Sequence, residues 1–214
     1  MSDELFSAID ALDVPRVRAL LAGGADPNAL QDTWAGLRPL HAAIQTIAVS
    51  DGGGGLDLIT VLLEHGADVN GWTASKDQTP LLTALFEQMP AAAELLLAAG
   101  ADPNVRSSEG ESPLRVAAAA GDRAMVSRLL AAGAAKTIDD WGGLSGRTAL
   151  ALAAERLDVP MMKMLLDAGA DPRAQGEYGL TADQRLPPRE QSDPEVWAAA
   201  FEMLRTAPSR RHRQ

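Results

Sequence analysis

Thr79-Pro80-Leu81-Leu82, followed by Pro90 and Ala91-Ala92-Ala93-Glu94-Leu95-Leu96-Leu97 and closed by Gly100-Ala101-Asp102-Pro103-Asn104, is the stretch that decides the fold. Its closing string stands elsewhere as Gly24-Ala25-Asp26-Pro27-Asn28, Gly66-Ala67-Asp68-Val69-Asn70, Gly133-Ala134-Ala135 and Gly169-Ala170-Asp171-Pro172. The steps between successive glycines are 42, 34, 33 and 36 residues. Its opening string returns as Arg38-Pro39-Leu40-His41, Ser112-Pro113-Leu114-Arg115 and Thr148-Ala149-Leu150-Ala151. From the second residue of the opening to the repeat glycine is 20 residues in three copies and 27 in the Pro39 copy. A period of this kind marks a repeat architecture.

Each piece has a physical reading. Thr or Ser is a good helix N-cap, and Pro suits the first helical position because no intrahelical N–H bond is lost there. A first helix therefore starts at each opening. Pro15, Pro90, Pro160 and Pro194 start a second helix, and the glycine closes it in a left-handed cap. A lone helix pair cannot bury its apolar face, so neighbours must stack. The pairs Leu62/Leu63, Leu96/Leu97, Leu129/Leu130 and Leu165/Leu166 are expected to supply roughly 1.5–3 kcal/mol per buried side chain.

Four copies of a T-P-L-H-like opening, in phase with five of a G-A-D-x-N-like closing, resemble the ankyrin-repeat family over residues 5 to 206. The resemblance implies an all-α solenoid of about six helix-turn-helix units with β-hairpin-like loops. The expected layout is one domain over 1–207: an N-terminal cap at 4–24, central repeats at 37–66, 79–100, 112–133 and 148–169, and a C-terminal cap at 181–206 that breaks at Pro187-Pro188. Residues 208–214, with Arg210-Arg211-His212-Arg213, read as a disordered basic tail. Ser50-Asp51-Gly52-Gly53-Gly54-Gly55 reads as a flexible insertion between two helices, on the convex side or rear edge, that can be shortened with little loss of fold.

Composition narrows the function classes. The 214 residues are 46% hydrophobic, 22% charged and only 4% aromatic, so a core of small aliphatic side chains on closely packed helices is expected. There is no Cys, which removes thiolate chemistry and disulfides. The formal net charge of −10 argues against nucleic-acid binding and for a partner with a basic surface. An acidic start and the lack of a long apolar run give cytoplasmic residence, with no membrane partner, as the expectation. Arg outnumbers Lys 16 to 3, which fits a GC-rich bacterial genome.

No catalytic, cofactor or metal site is expected. His41 falls where the family uses His to bond neighbouring loops, His65 lies at a helix end and His212 in the tail. Asp26, Asp68, Asp102 and Asp171 recur one per unit, about 10 Å apart in packed layers, too far for shared ligation. The glycine run lacks the G-K-[ST] ending of a phosphate loop.

Trp34, Trp72, Trp141 and Tyr178 all fall between a closing string and the next opening. The family places β-hairpin fingers there, bordering a concave groove. Two uses are open to them: stiffening the hairpins, or anchoring a partner as exposed hot-spot aromatics. The resemblance adds to the groove face Leu37, Gln45, Thr46, Lys76, Gln78, Phe86, Glu87, Glu109, Glu111, Arg147, Glu155 and Arg156, with burial of Phe86 against a neighbouring helix as its alternative. The function this implies is a monomeric regulatory or inhibitory adaptor, not an enzyme, that binds a protein partner in the groove. A structural spacer, or a regulatory part of an enzyme, is the rival.

Overall fold

The computed structural model describes residues 2–33, 36–50, 55–75, 77–143 and 145–209. The chain forms two compact units, Met1–Asp102 and Pro103–Gln214. The first holds α1 (Ser2–Asp10), α2 (Val14–Ala22), α3 (Pro39–Val49), α4 (Leu56–Glu64), α5 (Pro80–Phe86) and α6 (Pro90–Ala98). The second holds α7 (Pro113–Ala120), α8 (Arg123–Ala131), a 3₁₀ turn at Ala134–Thr137, the ribbon strands β1 (Trp141–Gly142) and β2 (Arg147–Thr148), α9 (Ala149–Glu155) and α10 (Val159–Asp167). Two further 3₁₀ turns at Asp183–Arg185 and Arg189–Gln191 lead into α11 (Pro194–Thr206).

The helices start where the openings place them. The hydroxyls of Thr79, Ser112 and Thr148 accept from the backbone N–H groups of Leu82, Arg115 and Ala151, whereas Arg38 caps nothing and α3 relies on Pro39 alone. Second helices have caps beyond their prolines. Asp13, Asp122 and Asp158 accept from the N–H groups of Arg16, Met125 and Met161 at 2.9–3.1 Å. Gly24, Gly66, Gly100, Gly133 and Gly169 all take φ between +87° and +100°, the left-handed closure that a side chain would resist.

First helices pack on first helices and second on second: α1, α3 and α5 in the first unit, α7 and α9 in the second, backed by α2, α4, α6 and by α8, α10. Of each Leu pair only the leading member, Leu62, Leu96, Leu129 or Leu165, is buried; its successor is half-buried. Consecutive helical residues point about 100° apart, so the successor is turned out of the direction in which its neighbour is enclosed.

The closing strings bind one repeat to the next. Asp26, Asp68 and Asp171 each accept from the N–H two residues on, which fixes a tight turn. In the first unit Asn28 donates its amide N–H to the Gly66 carbonyl and accepts from Asp68 N–H, and Asn70 does the same to Gly100 and Asp102. In the second, Asn104 reaches Gly133 and Lys136. The last asparagine-like place is filled by Asp139, which accepts from Asp171 N–H.

The C-terminal end departs from a helix pair. Two 3₁₀ turns stand where the sixth first helix was expected, because Pro187 and Pro188 remove two N–H donors from the segment. Ser209, assigned above to a disordered tail, is buried and its hydroxyl donates to Asp171 at 3.1 Å. Residues 51–54 and 210–214 lie outside the described residues, and with them most of the glycine insertion and the basic end.

Candidate functional site

Between a closing string and the next opening the chain doubles back into a finger. In the first unit one finger is closed by Gln31 N–H donating to the Leu37 carbonyl at 2.8 Å, and the next by Thr73 N–H to Gln78 at 3.0 Å. Ala74 N–H to Gly36, at 3.1 Å, joins them. A cleft of about 490 Å³ lies along this pair, lined by Thr33, Leu37, Gln45, Thr73, Ser75, Asp77 and Gln78. Three residues expected on the groove face, Leu37, Gln45 and Gln78, thus meet in one place.

Behind the cleft stands His41, fully buried, its Nε2–H donating to the Gln78 carbonyl at 3.3 Å. Burial pushes its pKa down to about 4; the Gln78 bond opposes this and the Arg38 charge adds to it. The imidazole is therefore a neutral strut between a first helix and the next finger. Arg38 is also turned inward, donating to the carbonyls of Trp72 at 2.8 Å and Asn28 at 2.7 Å. Trp72 is half-buried, while Phe86, at the end of α5, is 41% exposed rather than covered by a neighbouring helix. Trp34 and Lys76 lie outside the described residues.

The second unit repeats the design with different side chains. Strands β1 and β2 pair antiparallel, Trp141 opposite Thr148 and Gly142 opposite Arg147. Gly143 N–H donates to Glu109 on the preceding finger at 2.7 Å, and Glu177 N–H to Gly146 from the following one at 2.8 Å. Trp141 and Tyr178 project from this ladder 41% and 70% exposed, and Glu109 is exposed beside them.

Four expected contact residues are spent inside the unit instead. Glu111 forms a buried pair with Arg115, which stands in the place of His41 and donates a second bond to Ser145 at 3.0 Å. Arg147 lies 2.7 Å from Glu155, close though not aligned for a hydrogen bond, and Arg185 approaches the same carboxylate at 3.8 Å. Arg156 donates to the carbonyls of Ala118 and Ala119, closing the end of α7. Spacing alone does not reveal that Arg115 offers Glu111 a buried partner; a charged side chain in the motif place that holds His41, Leu82 and Ala151 in the other openings was the available signal.

Among the described residues no group of three or more His, Asp or Glu is arranged to hold a metal ion, and no helix is long and apolar enough to cross a membrane. His65 Nδ1–H donates to the Val61 carbonyl at 2.9 Å and takes no part in a site.

Comparison with known proteins agrees with this architecture. A family model described as ankyrin repeats (3 copies) matches residues 5–107 and 86–176. Human Rabankyrin-5 is 36% identical over 132 residues, 56% of this chain and 10% of that protein. An ankyrin repeat-containing protein of Treponema pallidum is 35% identical over 133 residues, 60% of this chain and 42% of that one. Mouse 2-5A-dependent ribonuclease is 47% identical over 64 residues, so the match covers 30% of this chain and 8% of the enzyme. Among solved structures, EF0377, an ankyrin repeat protein, superposes with TM-score 0.75 at 22% identity, covering 97% of this chain and 99% of that one. A chain in the complex of the Bd0816 predatory endopeptidase from Bdellovibrio bacteriovorus with immunity protein Bd3460 superposes with TM-score 0.72 at 24% identity, covering 94% and 98%. With a repeat model matched along most of its length and the finger, cap and helix-pair geometry in place, this chain belongs to the ankyrin-repeat family.

Proposed function

We propose that the chain is an adaptor that docks a protein partner on its fingers and first-helix ends, and by docking inhibits or regulates it. Ankyrin repeats are protein–protein interaction modules, and the fold here carries no catalytic family signature. The observation that supports the finer reading is the exposure of Phe86, Trp141 and Tyr178 on that side of their units. Large aromatics left wet are costly unless a partner covers them, and they are the side chains that dominate binding hot spots. A spacer would have no use for them. The similar architecture found in an endopeptidase–immunity protein complex makes inhibition the first mode to test. The net charge of −10 selects for partners with a basic surface.

A photo-crosslinking residue placed at Phe86, Trp141 or Tyr178 should capture a defined protein in the source cell, while the same residue at Glu94 on α6 should not. Once that partner is in hand, replacing any one of the three aromatics by Ala should weaken it by about 2 kcal/mol, roughly thirtyfold. Trp197→Ala on α11, where the indole stacks on Phe201 at 5.1 Å and donates to Pro187, is the control that should cost stability instead. Unchanged affinity in all three finger and helix-end variants would remove this face from consideration.

A further inference from the structure

The charge of the chain is not shared between its units. The first unit carries 14 Asp and Glu against four Lys and Arg; the second carries 15 against 15, its Arg210-Arg211-His212-Arg213 end included. The whole net charge of −10 is therefore the charge of the first unit.

Four of those carboxylates frame the cleft described above. Asp77 lines it and Asp32 precedes the lining Thr33, both exposed on the fingers. Asp10, exposed at the end of α1, accepts from Thr46 on α3 at 3.5 Å, and Thr46 adjoins the lining residue Gln45. Gln45 and Phe86 are both the seventh residue of their helices, α3 and α5, which pack together, so Phe86 holds the next place along the same face with exposed Glu87 beside it. Of the four cations of the unit, the Arg38 guanidinium is consumed by two carbonyls, Arg16 and Arg18 sit on α2, where Arg18 pairs with Glu64 at 3.1 Å, and Lys76 lies outside the described residues, so that by count the acidic side chains of the unit outnumber the basic ones 14 to four.

We infer that the cleft of the first unit is a docking groove for a basic segment of a partner protein, an extended stretch in which Arg or Lys alternates with apolar residues. Its cations would meet Asp10, Asp32, Asp77 and Glu87, and its apolar side chains would rest on Leu37 and Phe86. A cleft lined by Asp77 and Leu37, with Asp10, Asp32 and Glu87 near it and the exposed Phe86 on the next helix, rejects acidic segments by repulsion and purely polar ones by the water left on Phe86. The inference rests on the adaptor reading and assigns the partner chemistry of one part of that face.

The test uses the full chain and a fluorescein-labelled peptide of about twelve residues alternating Arg and Leu, with a Gln-for-Arg version beside it, at about 0.15 M NaCl. The Arg peptide should bind saturably and the Gln peptide at least tenfold more weakly. Neutralising the groove in D32N/D77N/E87Q should weaken the Arg peptide by about tenfold, and Phe86→Ala by a similar factor. D57N/E64Q/E94Q, which removes the same charge from the exposed faces of α4 and α6, should change it less than twofold. Thermal melts identify any variant that fails to fold, and either single change Asp77→Asn or Glu87→Gln then replaces the triple. Equal weakening by the two triples would mean diffuse attraction to an acidic chain and would overturn the inference, as would no saturable binding of the Arg peptide. In either case the adaptor reading still stands or falls on Trp141 and Tyr178, whose crosslinking does not involve the first unit.

Discussion

His41 and Arg115 occupy the same place in two of the openings and solve one problem in two ways. Each reaches across to the next finger, His41 to the Gln78 carbonyl and Arg115 to the Ser145 hydroxyl, but only the arginine needs a buried counter-charge, which Glu111 supplies. The neutral imidazole makes the first unit acid-sensitive in a defined window. Its pKa of about 4 when folded lies below the 6.5 of a free side chain, so between those values the unfolded chain binds the extra proton. His41 then favours the folded state fully above pH 6.5 and progressively less as the pH falls toward 4. Between pH 7 and 4.5 the loss should reach about 2–3 kcal/mol. Denaturant unfolding at the two pH values should show His41→Gln less stable than the parent at pH 7 but with that increment of acid sensitivity missing. A variant as acid-sensitive as the parent would show that the carboxylates, not His41, set the response.

At the scale of elements, the fingers are held by main-chain contacts close enough to exclude side chains. A Cβ at Gly142 would fall on the carbonyl of Gly110 in the preceding finger, next to the bond from Gly143 N–H to Glu109. Gly142→Ala should therefore cost about 1–3 kcal/mol and accelerate amide exchange at Gly143, whereas Trp141→Ala, one residue away and 41% exposed, should cost less, under about 1 kcal/mol. Equal and small effects would mean the ladder gives way at no cost. Helix starts and closures were legible in the sequence because Thr-Pro, Ser-Pro and the repeat glycines each answer a local backbone demand. The asparagine bridges from Asn28, Asn70 and Asn104 were present in every copy of the closing string that carries an Asn, yet their partners lie a whole repeat away and no local rule points to them. The candidate face divided likewise. The place of Trp141 and Tyr178 on the fingers was legible, though not whether they pack or stand exposed, while the inward turn of Glu111 and the pairing of Arg147 with Glu155 depend on which side of a finger faces its own helices. The two 3₁₀ turns at the C-terminal end show local chemistry prevailing over the period, since Pro187-Pro188 forbids the helix that the repeat would place there.

At the scale of the whole chain, stability and recognition draw on the same uneven charge. Fourteen carboxylates against four cations in the first unit repel one another in the folded state more than in the expanded one, and salt screens that repulsion over about 8–10 Å. The second unit, with 15 of each sign and pairs such as Arg123 with Asp158 at 2.8 Å and Arg205 with Glu202 at 2.7 Å, has little repulsion to screen and exposed ion pairs to weaken. Raising NaCl from about 0.05 to 0.5 M should accordingly slow amide exchange in α3 to α6, by an opening free energy on the order of 1 kcal/mol, and leave α7 to α10 unchanged or slightly faster. Hydrogen exchange read by mass spectrometry, peptide by peptide, resolves the two responses in one sample. Equal slowing in both units would trace the effect to general salting-out of apolar surface and not to charge, and repeating the series with the outer-face variant D57N/E64Q/E94Q separates these causes. If self-repulsion is the cause, this variant starts more protected than the parent in α3 to α6 at low salt and gains less from added NaCl.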